Sequence, residues 1–284
     1  MKALKIHKNL LASAVGAALA VGMVASASAV VLPQFQVDRD SNSATLNNFY
    51  ASFFNGSSSE RLLSNNTANT LSTAAGQTGW LNLTSYTNNG PLGVTGSILP
   101  GVSGLGVDYQ LYLTFSLVAA LNTGTLGGLG STYSITNLNY NLYRDDGLNT
   151  GFVSATNTLD ATVTGNATDV LLGSGNIIAG IADLNTFGGA GINATTSYTN
   201  TAAGNLFFVA PTPFYSLAFA ALNNTSQGVS IVGNCATIAG CTLAVNAAGI
   251  VDFNNNRVPE PETLALLGVG LLGMGASLRK RKAG

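Results

Sequence analysis

Histidine is almost absent from this chain. One occurs among the 284 residues, His7. Serine and cysteine catalysis through a histidine base therefore has no candidate beyond that position, and neither has a metal site with a histidine ligand. Carboxylate chemistry and calcium binding stay open, because aspartates and asparagines are present throughout the chain.

Charge is scarce as well, at 8% of residues. Residues 30–257 contain no lysine, and their only cations are Arg39, Arg61, Arg144 and Arg257, against ten aspartates and glutamates. An acidic, lysine-free surface argues against nucleic acid and against anionic membrane surfaces as partners. Polar but uncharged side chains, mainly Asn, Thr and Ser, must therefore keep this region soluble.

The N-terminus has the three parts of an export signal. Lysines at positions 2, 5 and 8 precede an apolar run over 10–24, and Ala27 and Ala29 form a small-x-small cleavage site. This order predicts a signal peptide over 1–29 that signal peptidase removes, with Val30 as the first mature residue. Cleavage two residues earlier, or retention as an anchor, are the alternatives.

The C-terminus also has three consecutive parts. The first is a proline-rich acidic turn, Val258, Pro259, Glu260 and Pro261. An apolar, glycine-rich run over 263–278 follows, and predicts a short transmembrane helix. The third is a basic cluster that resists translocation, Arg279, Lys280, Arg281 and Lys282. At about 24 Å the helix is shorter than a hydrocarbon core of roughly 30 Å, so it is poorly suited to permanent anchoring.

This order of turn, short apolar helix and basic cluster resembles the PEP-CTERM protein-sorting signal. The resemblance implies a protein exported by a Gram-negative bacterium, recognised at the inner membrane by an exosortase and passed to the cell surface or extracellular matrix. An ordinary C-terminal membrane anchor is the alternative. The predicted organisation is a signal peptide (1–29), an extracellular domain (30–257) and a sorting signal (258–284).

The chain has two cysteines, Cys235 and Cys241. In an exported protein, a lone pair at short separation predicts a disulfide. A redox role would need a tighter motif at a helix N-terminus, and a zinc site of cysteines would need more of them. We therefore expect a structural disulfide that closes a small loop between two strands.

Hydrophobic alternation predicts an all-β domain. Positions 107–117 alternate strictly between apolar and polar residues, and 133–143 form the expected partner strand. The apolar phase of that partner slips by one residue, which predicts a β-bulge near Thr136 and Asn137. Further strands are predicted at 79–86, 158–163, 169–172, 205–209, 215–222, 228–232, 241–246 and 250–253. Many short strands of this kind indicate a β-sandwich or jelly roll.

Two parts of the domain are less regular. The only helical periodicity is a weak pattern over 177–184. Residues 41–100, apart from the strand over 79–86, are rich in Ser, Asn, Thr and Gly and predict irregular connections.

A second resemblance extends over much of the domain. It rests on PQFQVD at 33–38, a glycine- and tyrosine-rich strand pair over 104–143, DVLLG at 169–173, PTPFYSLAF at 211–219 and an Asn-rich closing segment over 245–253. These features are similar to those of flocculation-associated PEP-CTERM proteins. The resemblance implies a role in cell aggregation through the exopolysaccharide matrix.

Three functions compete on these observations. The first is a non-catalytic surface or matrix protein associated with exopolysaccharide. The second is a carbohydrate-binding module in which Trp80 and Tyr86 stack on sugar rings, with Tyr198 and Tyr215 as further candidates. The third is a glycosidase that uses two carboxylates at a suitable separation. Its candidates are Asp145, Asp146, Asp160, Asp169 and Asp183.

No cofactor is predicted, although calcium stays open. Asp38, Asp40 and Asn42 have the alternating oxygen spacing of a calcium loop. The pattern fails further on, since Ser43 stands where the loop glycine is required and Phe49 where the final glutamate is required. A solvated turn is the better interpretation of these residues.

Overall fold

The computed structural model describes residues 33–41, 47–224, 229–235, 237 and 240–254. The predicted signal peptide with Ala27 and Ala29, the calcium-loop residue Asn42, and the whole segment 258–284 lie outside these residues. The strands are β1 Phe35–Asp38, β2 Asn48–Ala51, β3 Phe53–Asn65, β4 Thr70–Thr73, β5 Gly79–Asn88, β6 Gly96–Ile98, β7 Gln110–Thr123, β8 Ser131–Asp145, β9 Gly151–Val153, β10 Thr162–Thr164, β11 Val170–Leu184, β12 Ala190–Ser197, β13 Thr199–Asn200, β14 Phe208–Ala210, β15 Leu217–Asn224, β16 Ser230–Gly233 and β17 Cys241–Asn254. The helices are α1 Pro100–Ser103, a 3₁₀ turn at Asn166–Thr168, and α2 Ala202–Phe207.

Eight of the strands form one closed antiparallel sheet, which we call the ring. In chain order β3, β5, β7, β8, β11, β12, β15 and β17 each pair antiparallel with the next, and β17 pairs back onto β3. The all-β prediction is confirmed. The predicted sandwich or jelly roll is not what the pairing shows, because these architectures hold two separate sheets. Here the ladder between β17 and β3, from Thr242 opposite Leu63 to Asp252 opposite Phe53, joins the two edges.

The predicted hairpin is the longest-paired part of the ring. Strands β7 and β8 align from Gln110 opposite Asp145 to Thr123 opposite Thr132. The bulge is where the phase slip placed it: Val118 lies opposite Asn137 and Ala119 opposite Ile135, so Thr136 is the extra residue. The slip keeps the apolar side chains on both sides of the bulge on the inner face of the sheet.

Three local predictions are wrong. The weak helical pattern over 177–184 lies within strand β11, where the register shifts between Ile177 and Ala179. Such a shift moves the apolar phase by one residue, and this imitates helical spacing over a short segment. The strand predicted over 205–209 is mostly helix α2, whose N-cap Thr201 accepts a hydrogen bond from Gly204 N at 3.1 Å. Long strand β3 lies in the segment expected to be irregular.

Apolar side chains fill the inside of the ring. The end at which β3 begins and β17 finishes, called the base here, is closed by aromatic rings in mutual contact, including Phe35, Phe54, Phe208 and Phe253. Above them lies a cavity of about 50 Å³ with an almost wholly apolar lining. An eight-stranded closed sheet has an interior just wide enough for its own side chains, which explains the small cavity.

The two cysteines lie at the other end. Cys235 and Cys241 form a disulfide with Cα atoms 4.5 Å apart. The bond joins the end of β16 to the start of β17, where Gly233 lies opposite Cys241. The predicted disulfide and its position between two paired strands are confirmed.

Candidate functional site

An uncharged polar surface covers the outer side of β7, β8 and β11. Two rows of residues cross the three strands in register: Ser116, Asn139 and Asn176 in one row, and Thr114, Asn141 and Ser174 in the other. We call these six residues the amide face. The alternate residues of β8, Leu138, Tyr140 and Leu142, are buried in the core. The period of two along a strand therefore turns the asparagines outward.

The amide face is held by hydrogen bonds to polar side chains beside it. Asn139 Nδ2 donates to Asn137 Oδ1 at 2.6 Å, and Asn141 Nδ2 donates to Gln77 Oε1 at 3.1 Å. Asn176 is exposed and most of the other members are partly exposed. Amides and hydroxyls both donate and accept hydrogen bonds, so a neutral surface of this kind matches the hydroxyl groups of carbohydrates.

The two aromatic residues predicted to stack on sugars are buried. Trp80 is 6% exposed and lies on the outer face of β5 under the β9–β10 hairpin, where it contacts Phe152. Tyr86 is fully buried at the base and shares a 3.0 Å hydrogen bond with the hydroxyl of Tyr109. Neither ring offers a face to solvent, so the stacking prediction is wrong for both. The alternation of apolar and polar residues in the sequence could not show that the β9–β10 hairpin covers this part of the outer surface.

The aromatic residue next to the amide face is Tyr143. Its ring stacks on Tyr112 with centroids 5.3 Å apart, and its hydroxyl accepts a hydrogen bond from Asn141 at 3.2 Å. Tyr143 is partly exposed. In the sequence, Tyr143 continues the every-second-residue pattern of Asn137, Asn139 and Asn141. That pattern could have identified it as a residue on the same face.

Of the remaining tyrosine candidates, Tyr198 is 3% exposed and packs against Phe253. Tyr215 is partly buried, and its hydroxyl donates to the carbonyl of Gln34 at 2.8 Å. Both therefore belong to the packing at the base rather than to an open platform.

Four of the five aspartates considered for catalysis are engaged in ion pairs or hydrogen bonds. Asp160 pairs with Arg61 at 2.7 Å. Asp169 accepts hydrogen bonds from Tyr112 and Thr150. Asp145 ends β8 and accepts from the backbone N–H groups of residues 147, 149 and 150. Burial raises the pKa of Asp145, but these N–H groups outweigh it and the net pKa lies below its usual value.

The remaining two candidates are Asp183 and Asp146. Asp183 is on β11, opposite Thr132 of β8 and Gly191 of β12. Asp146 is in the turn after β8, where its Oδ1 atom lies 2.6 Å from Arg144 Nε. Asp145 and Asp169 lie close to each other, since both accept a hydrogen bond from Thr150. These hydrogen bonds hold both carboxylates as structural parts of the turn after β8.

A pocket of about 130 Å³ opens beside Arg144. We call it the Arg144 pocket; its lining is Asp40, Ser41, Arg144, Asp146, Val170, Leu172, Ala203 and Leu206. The guanidinium carbon of Arg144 lies 4.8 Å from the centroid of Tyr109 and 5.3 Å from that of Phe207. Sequence reasoning missed this pocket, because its walls come from four separate segments of the chain.

Among the described residues, Glu60 on β3 places its carboxyl group inside the ring. Glu60 is 1% exposed, lies beside a small cavity shared with Leu117 and Ile192, and its Oε2 has no hydrogen-bond partner among the described residues. Burial raises its pKa from 4.5 to about 8. The group is therefore mostly protonated at neutral pH.

The turn considered for calcium lies only partly within the described residues. Asp40 Oδ1 lies 3.8 Å from Arg39 Nε, and Asp40 also accepts a hydrogen bond from Asn47. No group of three or more His, Cys, Asp or Glu residues in the described part of the chain is arranged to hold a metal ion. A guanidinium beside the carboxylate competes with a cation for it.

The fold and the site define the class of this protein. It is an all-β domain built on a closed antiparallel sheet with an uncharged polar outer face. The chain also matches the family model of the PEP-CTERM protein-sorting motif, over residues 257–282. It is accordingly an exported protein that an exosortase recognises and that passes the membrane on its way to the cell surface. Neither the curated proteins nor the solved structures contain a match to this chain. Across the residues that the structure describes, no helix has the length and apolarity needed to cross a membrane.

Proposed function

We propose that the protein is a non-catalytic component of the surface or extracellular matrix of a Gram-negative bacterium. It associates with exopolysaccharide and supports cell aggregation in flocs and biofilms. The apolar segment 263–278 serves as a short inner-membrane helix while the exosortase acts. The observation that carries the proposal is the amide face, a neutral hydrogen-bonding surface on a protein that is sorted out of the cell.

Three features support contact with a polymer rather than with a protein. The two rows of the amide face run across three strands, so they can follow an extended chain of sugar units. The surface carries hydrogen-bonding groups without charge, which suits neutral hydroxyls. Tyr143 lies one register position further along, and its partly exposed ring adds an aromatic edge of the kind that sugars contact.

A non-catalytic role is favoured by the use of the carboxylates. A glycosidase needs two of them flanking the scissile bond. Three of the candidates instead accept hydrogen bonds or form an ion pair that shapes the turns around them: Asp145, Asp160 and Asp169.

Retention on the polymer tests the amide face. The purified domain is run on a gel containing the exopolysaccharide of the producing organism, beside the double variant Asn139→Ala, Asn176→Ala. We expect the double variant to lose at least tenfold in affinity. Asn193→Ala is the matched control, because Asn193 is an exposed asparagine on the outer face of β12, away from the amide face. Equal retention of the double variant and the parent would refute the assignment of this face.

The matrix role is tested separately in the cell. A strain that lacks the protein should form fewer or looser flocs, and the parent sequence should restore them while the double variant does not. Normal flocs in the deletion strain would reject the role in aggregation, whatever the purified domain binds.

A further inference from the structure

We propose that the Arg144 pocket is a second carbohydrate site, which takes one neutral or amino sugar unit by its vicinal hydroxyl groups. The ligand class rests on the proposed function, but the pocket is separate from the amide face. It lies at the base, between the turn after β1, the end of β8, the start of β11 and helix α2.

The guanidinium of Arg144 is held in place before any ligand arrives. Arg144 is 9% exposed and is packed against the rings of Tyr109 and Phe207. Its Nη1 donates to the hydroxyl of Ser41. A planar cation fixed by two rings loses little freedom when it donates to a ligand.

One donor of this buried group, Nε, makes an ion pair but no aligned hydrogen bond. Arg144 Nε lies 2.6 Å from Asp146 Oδ1, but the two atoms are not aligned as a hydrogen bond, and Nε has no other partner among the described residues. A buried N–H whose acceptor is misaligned bears part of the free-energy cost of an unmade hydrogen bond. A ligand hydroxyl in the pocket could accept from it and remove that cost.

Acceptors face the same space. Asp40 and Asp146 both line the pocket, and the side chain of Asp146 is 56% exposed. A sugar hydroxyl both donates and accepts, so adjacent hydroxyls can bind a carboxylate and the guanidinium at once. The lining holds two carboxylates and one guanidinium. The adjacent Arg39 and Asp108 pair with each other, so the surroundings of the pocket stay net negative. A neutral or protonated amino sugar therefore fits, and a carboxylate or phosphate does not.

The opposite wall is apolar. Leu206 of helix α2 is 51% exposed at the pocket, beside Ala203 and Val170. The two sides of a sugar ring differ in polarity. A site for one therefore needs an apolar wall opposite a polar wall, as here. The volume of about 130 Å³ is below the roughly 300–1,000 Å³ of drug-sized sites, so the pocket suits one unit rather than an extended chain.

Titration with single sugars tests the site. The full mature domain is titrated, by NMR, with methyl glucoside, methyl mannoside, glucosamine and glucuronate. We expect at least one neutral or amino sugar to bind with shifts confined to the pocket, and glucuronate to bind at least threefold more weakly. The variant Leu206→Trp fills the pocket without removing its buried cation and should weaken binding at least tenfold. Val232→Trp, at the other end of the domain, is the matched control.

The outcomes separate this proposal from the proposed function. No binding of any of the four sugars, or undiminished binding to Leu206→Trp, would overturn the pocket. So would a preference for glucuronate. Leu206→Trp keeps the amide face, so its retention on exopolysaccharide reports on that face alone. Loss of polymer retention in the amide-face variant, with sugar binding unchanged, supports two independent sites.

Discussion

The indole nitrogen of Trp80 donates a hydrogen bond of 2.9 Å to the carbonyl oxygen of Val153. This bond ties the outer face of β5 to the β9–β10 hairpin, where Phe152, Ala155, Ala161 and Val163 form a small apolar cluster around the indole. The only tryptophan of the chain is thus a packing residue of a second layer.

Trp80→Ala should destabilise the domain by about 3–5 kcal/mol, because it removes a large buried side chain and leaves a cavity. Trp80→Phe keeps much of the volume but loses the hydrogen bond, and should cost less. Urea unfolding followed by circular dichroism measures both. A variant Trp80→Ala as stable as the parent, with weakened glycan binding, would contradict the packing role and restore the stacking interpretation.

Glu60 should make stability fall as pH rises. The folded domain holds the proton of Glu60 up to a pKa of about 8, whereas the ordinary value of this carboxyl is 4.5. Between these values the folded state binds more protons, so the free energy of unfolding decreases with pH, by up to about 1.4 kcal/mol per pH unit. Chemical unfolding at pH 5, 6, 7 and 8 measures this slope.

Glu60→Gln should remove most of that slope, since the amide keeps the shape and has no proton to release in this range. Asp146→Asn is the control at an exposed carboxyl, and it should retain the slope. An equal slope in Glu60→Gln and the parent would show that another group dominates the pH dependence.

Loss of the disulfide should destabilise the domain modestly. Cys235 and Cys241 are six positions apart, and the chain-entropy model assigns so short a loop about 2 kcal/mol. The double variant Cys235→Ser, Cys241→Ser should therefore stay folded with a lower melting temperature. Calorimetry of the two proteins decides this. Complete unfolding of the double variant would mean that the β16–β17 hairpin depends on the bond for more than loop closure.

Processing at both ends should be visible in one mass spectrum. Protein recovered from the extracellular matrix and kept unreduced should begin near Val30, end close to Pro259 and lack two hydrogens. Signal peptidase accounts for the first end, and the exosortase-linked step for the second. A protein in the membrane fraction that retains its basic tail would instead be an anchored protein, and the matrix role would lose its main support.

The sequence was most informative where a pattern is local. Strict alternation predicted strands β7 and β8, and the phase slip placed the bulge at Thr136. The same reasoning failed on β11, where a register shift imitated a helix. It also failed on β3, since a strand whose inward positions include Gly56, Ser58 and Glu60 shows no apolar alternation.

The amino-acid sequence alone determined how this protein is sorted, because a sorting motif is contiguous and is recognised as a segment. It also determined the all-β class and the disulfide. Only the tertiary structure decided the rest: the ladder between β3 and β17 that closes the ring, the cover over Trp80, and the pocket around Arg144. The reason is physical. Alternation shows that a residue has a side, but burial on that side depends on segments that are distant in the chain and meet only in the fold.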